Sequence, residues 1–413
     1  MTVKLAGSRR LAGIAAIGAV AMTLAACGGG DDESTSTDDN EGSSEPEETS
    51  SEDTSSEETS SESGSEDAPA ESDSDAPAAG GSDLGLDYAS LSGEINGSGA
   101  SSQANAMQAW RDNFATEAPD LTVNYTQTGS GTGREQFVGG EVSFIGTDSL
   151  FEGDELAAAE ERCGGPIAEL PTYVSPIAVA FNLPGVDSLN LTPETISYIF
   201  DGTITTWDDP DIADANPDVE LPALPIIPVN RSDDSGTTEN FAQWLVDAGT
   251  GWEHEVSDVW PITGTQSAEG TSGVVQLVEG TEGAITYADA SQINDLGTAA
   301  VGLADGSFVE YSAEAAAAIV DGSPAHETAT DTILSVDLLR DGSIADAYPV
   351  VLISYHVACL TYEDEAEAAN VQGFLAYIAS AEGQEAASSF GVAPISDQLR
   401  ETVNGVISQI SAG

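Results

Sequence analysis

The chain is 413 residues long, enough for one large or two medium domains once targeting segments are set aside. Its formal net charge is −63, from 72 acidic and 9 basic residues, which excludes nucleic acid and anionic membrane as natural partner surfaces. The single lysine is Lys4, so the cationic chemistry of the rest of the chain rests on a few arginines.

The first residues read as an export signal. Lys4, Arg9 and Arg10 form a positive start, and the apolar stretch from Leu11 to Ala21 is too short to span a bilayer. Leu24-Ala25-Ala26-Cys27 follows, then three glycines, the pattern of a bacterial lipoprotein box. The expectation is a signal peptide over 1–26, cleavage before Cys27, and acylation of that cysteine, palmitate included. Each buried CH₂ of the acyl chains would hold the protein to the membrane by ~0.8 kcal/mol.

Residues 27–84 are the lipidated cysteine and an acidic tether. From Asp31 to Asp83 the side chains are Ser, Thr, Glu and Asp, with Pro and Gly, and almost no apolar groups. Such a segment cannot bury enough surface to offset its ordering entropy, and its like charges extend it, so disorder is expected.

The folded body is expected from about Leu84. Met107, Trp110 and Phe114 recur at helical spacing, and Leu121, Val123 and Tyr125 alternate as in a strand. Ile177 to Phe181 is a buried-strand run. Phe241, Trp244 and Leu245 mark another amphipathic helix, and Val350 to Ser354 another buried strand. Glu363 to Ile410 reads as helices with turns at Gly383 and at Gly391-Val392-Ala393-Pro394. Strands alternating with helices point to an α/β fold.

Cys163 and Cys359 are the remaining cysteines. In an exported protein such a pair reads as a disulfide rather than a metal site, with two buried free thiols as the other reading. His254, His326 and His356 form no metal-spaced cluster, and neither a cofactor nor a metal is expected.

Three segments place glycine and hydroxyl residues directly before an amphipathic helix. They are Gly97-Ser98-Gly99-Ala100-Ser101-Ser102, then Gly129-Ser130-Gly131-Thr132-Gly133, then Arg231-Ser232-Asp233-Asp234-Ser235-Gly236-Thr237. A helix start leaves backbone N–H groups unpaired and its dipole favours an anion. Glycine lets the backbone approach a ligand, and hydroxyls add donors. One such segment is an ordinary N-cap; three in one chain, one with a scarce arginine, point to anion binding. The Gly129–Gly133 segment lacks the Lys-[Ser/Thr] ending of a nucleotide loop.

In these segments the body from about Leu91 onward resembles the phosphate-binding protein of the bacterial phosphate ABC transporter. Arg231-Ser232-Asp233-Asp234-Ser235-Gly236-Thr237 is similar to the family's Arg-x-Asp-x-Ser-Gly-Thr segment. Gly202-Thr203-Ile204-Thr205-Thr206-Trp207-Asp208-Asp209, ending in Asn216-Pro217, is similar to a second family run. Gly283-Ala284-Ile285-Thr286-Tyr287 and Tyr348-Pro349 recur in the same order, and Phe144-Ile145-Gly146-Thr147-Asp148 is similar to the family's segment ending in a ligand-binding aspartate. Many family members have an aromatic and then a proline after the serine at position 101; here Ser102-Gln103 stands instead.

The resemblance implies a two-lobe, periplasmic-binding-protein-like clam shell of type II kind, with a two-strand hinge near Ile177–Asn182 and Tyr348–Tyr355. Residues 85–180 and 350–413 would form lobe I, and 181–349 lobe II. Cys163 and Cys359 would lie near the crossings. The implied phosphate shell is Ser101, Ser102, Ser130, Asp148, Arg231, Ser235, Gly236 and Thr237, with Asp233 orienting Arg231. Asp148 would accept a proton of phosphate and repel sulfate, which has none. The implied role is a lipid-anchored monomer on the outer face of the cell membrane, capturing inorganic phosphate for the permease subunits of an ABC importer. It would touch the membrane through its lipid alone and bind no nucleic acid. The alternatives are a secreted phosphatase of the same fold and a receptor for another oxyanion or an organic phosphate.

Overall fold

The computed structural model describes residues 83–413. The signal sequence, Cys27 and all of the tether before Asp83 lie outside the described residues.

Within the body, two α/β layers share one long strand. The first lobe opens with β1 (Gly93–Gly99), α1 (Ala104–Glu117), β2 (Leu121–Gln127), α2 (Ser130–Val138), β3 (Phe144–Thr147) and α3 (Gly153–Cys163). β4 (Ile167–Phe181) then runs out of it into the second lobe. There follow β5 (Ser188–Leu191), α4 (Pro193–Phe200), α5 (Pro210–Ala215), β6 (Ile227–Arg231), α6 (Gly236–Asp247), β7 (Gln266–Ala268), α7 (Gly270–Glu279), β8 (Ala284–Asp289), β9 (Gly297–Gly302), β10 (Phe308–Val309) and α8 (Ala313–Gly322). β11 (Val351–Cys359) returns to the first lobe, which closes with β12 (Thr361–Tyr362), α9 (Glu365–Ala379), α10 (Ala381–Ser388), α11 (Asp397–Ile407) and β13 (Ser411–Ala412).

The strand order is β2-β1-β3-β11-β4-β8-β6-β7. β1 pairs in parallel with β2 and β3, while β11 is antiparallel to both β3 and β4. β4 is the joint. Its residues up to Pro176 pair with β11, and Ile177 to Phe181 pair with β8. This mixed α/β, curled arrangement is the binding-protein-like clam shell that the resemblance implies.

Every residue of β4 is buried. Sequence periodicity marks only its last five residues, because Glu169, Pro171 and Pro176 interrupt the apolar run. Proline removes a ladder donor and is tolerated at irregularities. The register against β11 slips between Ser354 and Tyr355, leaving Thr172 as the extra residue, and its hydroxyl meets Nδ1 of His356 at 2.6 Å.

Met107, Trp110 and Phe114 bury one face of α1, and Leu121 and Val123 one face of β2. Phe241, Trp244 and Leu245 do the same for α6. Gly383 is a correction. It lies inside α10 rather than at a turn; the helix break is at Ser380, whose hydroxyl caps α10. A Cβ on Gly383 would sit 2.1 Å from the Tyr377 carbonyl oxygen, and the Gly383 carbonyl accepts Nε1–H of Trp110 at 2.7 Å. Close packing, not a turn, requires this glycine. The Trp207 motif is scaffold: Trp207 is buried and donates to the Gly283 carbonyl at 3.0 Å, Asp209 caps α5, and Asn216 exchanges hydrogen bonds with Asn190.

Cys163 and Cys359 form a disulfide, with Cα atoms 5.3 Å apart. Its place corrects the expectation. Cys359 pairs with Ile167 at the start of β4, whereas the crossing pairs Val351 with Pro176. The bridge therefore staples the end of the β4–β11 ladder farthest from the hinge. The stretch between α8 and β11, counted with lobe II by sequence, bonds to the first-lobe half of β4 through Glu169 and Leu334.

Candidate functional site

Four helix starts converge between the two lobes. From the first lobe come the turn before α1, with Ser101 and Ser102, and the start of α2, with Ser130 as its first residue. The second lobe supplies the start of α6, capped by Ser235, and the start of α7, with Thr271 as its second residue. Helix starts of this kind present unpaired N–H groups and the positive end of a dipole. Gly236 and Thr237 are the first two residues of α6, so neither N–H has an intrahelical acceptor.

Asp148, at the end of β3, sits where these starts meet, and 5 % of its surface is exposed. The Ser102 hydroxyl donates to its Oδ1 at 2.7 Å, and the Thr237 hydroxyl donates to its Oδ2 at 3.1 Å. Its backbone N–H donates to Oγ of Ser130 at 3.0 Å, which leaves the Ser130 proton free to point elsewhere. Burial pushes the Asp148 carboxyl above its ordinary range, while the hydroxyls of Ser102, Ser354 and Thr237 and the charge of Arg231 pull it back.

Arg231 is buried at the end of β6. Asp233 grips one side of it: Nε donates to Oδ1 at 2.8 Å and Nη2 donates to Oδ2. Nη1 reaches the Thr271 hydroxyl at 3.5 Å, and the outer edge of the guanidinium, with the other Nη1 proton and the second Nη2 proton, remains for an anion. Burial alone would raise the Asp233 carboxyl, but the hydrogen bonds and charge of Arg231 outweigh it and hold it below its usual value. Ser235 Oγ accepts the Thr238 N–H, so its own proton is also free.

The lobes are closed on each other. Ser101 Oγ accepts the Thr271 N–H at 3.1 Å and meets its hydroxyl at 3.2 Å. Gly131 N–H donates to the Asp234 carbonyl at 3.1 Å, and Arg134 reaches Asp258 at 3.2 Å. Ser149 donates to Glu239 in the first turn of α6. Burial pushes the Glu239 carboxyl up, partly countered by Ser149 and Arg134. A Cβ on Gly236 would lie 2.6 Å from Cβ of Asp148 and 2.8 Å from Oγ of Ser130, so only glycine allows α6 this close.

All eight residues of the implied shell, and Asp233, are thus brought to one place. Chemically the site offers hydroxyl and amide donors, one guanidinium edge and one carboxylate that can only accept when ionised. That suits an anion which carries a proton. Among the described residues no cluster of three or more metal-ligating side chains exists. His356 is a core residue between Trp110 and Phe144, held neutral by burial, which pushes it down to about 3.

Sequence reading missed four contributors. Thr271 had a signal, since Gly270-Thr271-Ser272-Gly273 repeats the composition of the other three segments. Asn240, Ser149 and Glu239 had none, because their roles depend on the opposite lobe. Beside Asp148 and Ser149 the cleft widens into a cavity of about 360 Å³, bordered also by Asn240, Arg340, Ile353 and Tyr355.

The chain is similar to known proteins in sequence and in fold. The PBP superfamily domain model matches residues 55–382. Phosphate-binding protein PstS 3 of Mycobacterium leprae is 34 % identical over 325 residues, covering 77 % of this chain and 87 % of the relative. Its namesake in Mycobacterium tuberculosis is 33 % identical over 325 residues, covering 77 % and 86 %. Among solved structures, a high affinity periplasmic phosphate-binding protein bound with phosphate superposes with a TM-score of 0.63 at 22 % identity, over 76 % of this chain and 93 % of that one. By sequence and by fold, this chain belongs to the PstS family of phosphate-binding proteins, within the PBP superfamily.

Proposed function

We propose that this chain is an extracytoplasmic receptor that captures inorganic phosphate with high affinity and hands it to the permease subunits of an ABC importer. The relatives named as phosphate-binding proteins support the ligand class. The observation that carries the reading is the placing of the Asp148 carboxylate among the donors of Ser102, Thr237 and Arg231. A carboxylate in an anion site makes sense only if the ligand brings a proton. Phosphate near neutral pH carries one or two, and sulfate carries none. A buried acceptor left unpaired, or facing a bare anionic oxygen, can set a preference of ~10⁴-fold.

In this reading Arg231 gives its outer edge to phosphate oxygens, and Ser101, Ser130, Ser235 and Thr237 supply hydroxyls. Ser102, Gly236 and Thr237 supply backbone N–H groups. No observation favours turnover over binding, and the relatives are named as binding proteins. The anchor belongs to the same proposal: signal 1–26, acylated Cys27 and the 27–84 tether hold a monomeric body outside the membrane. No helix among the described residues is long and apolar enough to cross a membrane.

Equilibrium dialysis of the full chain with radiolabelled phosphate, with sulfate, arsenate and a phosphate monoester as competitors, tests the reading. Stoichiometric retention of phosphate, displaced by arsenate and not by sulfate or the ester, supports it. Retention lost to the ester would favour an organic phosphate, and no retention would end it.

A further inference from the structure

Arg340 and Asn240 form a chain of hydrogen bonds that no anion needs to touch. Asn240 lies in α6, and its Nδ2 donates to the backbone carbonyl of Asp148 at 2.7 Å and to that of Gly236 at 2.8 Å. The first bond crosses the cleft, from the helix whose start faces the ligand to the residue that carries the site's carboxylate. Oδ1 of the same amide accepts from Nη2 of Arg340. Nη2 also donates to the Val351 carbonyl at 3.2 Å, at the point where β11 leaves the hinge.

Arg340 is 7 % exposed, and among the described residues it forms no ion pair. Burying a cation without a carboxylate in contact is costly, and burial pulls its pKa down to about 10. An apolar side chain of similar length would fill the space without that cost. What the guanidinium adds is direction. It has donors and no acceptor, so it can face only the oxygen of the Asn240 amide, and that turns the NH₂ toward Asp148.

We infer that Asn240 and Arg340 are positioning residues for phosphate capture: Arg340 fixes the polarity of the Asn240 amide, and the amide latches the lobes shut behind the bound anion. This rests on the phosphate reading above. The latch holds the backbone of Asp148 rather than its carboxylate, so it governs how long the ligand stays and not which ligand is chosen.

The test uses the full chain loaded with radiolabelled inorganic phosphate, chased with unlabelled phosphate. Asn240→Asp keeps the size of the side chain and gains an ion pair with Arg340, and it replaces the NH₂ that donates to the Asp148 and Gly236 carbonyls by an oxygen that cannot. Release from Asn240→Asp is expected to be roughly ten-fold faster than from the unaltered chain, with the phosphate-to-sulfate preference and the thermal stability of the ligand-free protein retained. Arg340→Met should speed release in the same direction, by less. Equal release rates for Asn240→Asp and the unaltered chain would overturn the latch while leaving the phosphate reading intact. Faster release accompanied by an equal fall in ligand-free stability would also overturn it, since that is a structural defect. An unaltered chain that retains no phosphate would overturn both.

Discussion

The hydroxyl of Ser102 donates to Oδ1 of Asp148 at 2.7 Å, at the position where many members of the family carry an aromatic. The serine therefore acts on the carboxylate that reads the ligand's proton. It is one of the groups holding the Asp148 pKa back against burial.

Removing it should change selectivity with pH. Protonated Asp148 can donate to a bare sulfate oxygen, whereas ionised Asp148 repels it. Sulfate competition should therefore grow as pH falls through the raised pKa of Asp148. Ser102→Ala removes a group that lowers that pKa, so the onset of sulfate competition should move to higher pH. Asp148→Asn should compete with sulfate at all pH values, with the phosphate preference cut at least ~100-fold. Competition titrations from acid to neutral pH read both, and an unmoved onset in Ser102→Ala would contradict the role given to this contact.

Glu169 makes a stability prediction. It is fully buried on β4; Oε1 accepts the Phe151 N–H at 2.9 Å and Oε2 has no hydrogen-bond partner. Burial pushes it up to about 8 from 4.5. The native state then binds more protons than the unfolded one between those values, so this group lowers stability as pH rises from about 4.5 to about 8. Glu169→Gln keeps the acceptor and cannot ionise. Its advantage over the unaltered protein should be absent near pH 4.5, grow by up to about 1.4 kcal/mol per pH unit, and level off above pH 8. Chemical denaturation across this range is the check.

The disulfide should matter for stability and not for binding. It closes a loop of 196 residues, worth up to about 5 kcal/mol in the chain-entropy model. It lies at the end of β4 and β11 away from the cleft. Cys163→Ser with Cys359→Ser should lower the unfolding midpoint while phosphate affinity at 25 °C stays within about two-fold.

The net charge of −63 predicts an inverted salt effect. An anion approaching so acidic a protein is repelled over a Debye length of about 30 Å at 0.01 M salt and about 8 Å at 0.15 M. Stopped-flow association of phosphate should quicken as sodium chloride is raised over that range. A rate that falls would mean that Arg231 and the helix starts dominate the field at the mouth of the cleft.

The α/β alternation, the anion-facing helix starts and the Arg231–Thr237 segment are legible in sequence because their signals are local. Apolar spacing marks α1, β2 and α6, and glycine with hydroxyls marks the starts of α1, α2 and α6. The remainder is not local. β4 hides behind its prolines, and Gly383 looks like a turn until Trp110 is seen against it. Asn240 is an unremarkable helix polar residue until the other lobe brings the Asp148 carbonyl to its amide. Ser102 looked like a departure from a motif, and its partner lies 46 residues away.

Calorimetric titration of the full chain with phosphate and with sulfate, repeated on Arg231→Ala, tests the central claim most directly. One tight site for phosphate and none for sulfate are expected, with a loss of at least ~100-fold in phosphate affinity in the variant, because removing a buried charge partner of the anion costs several kcal/mol. Absence of phosphate binding by the unaltered chain, or equal affinity for the two anions, would contradict it.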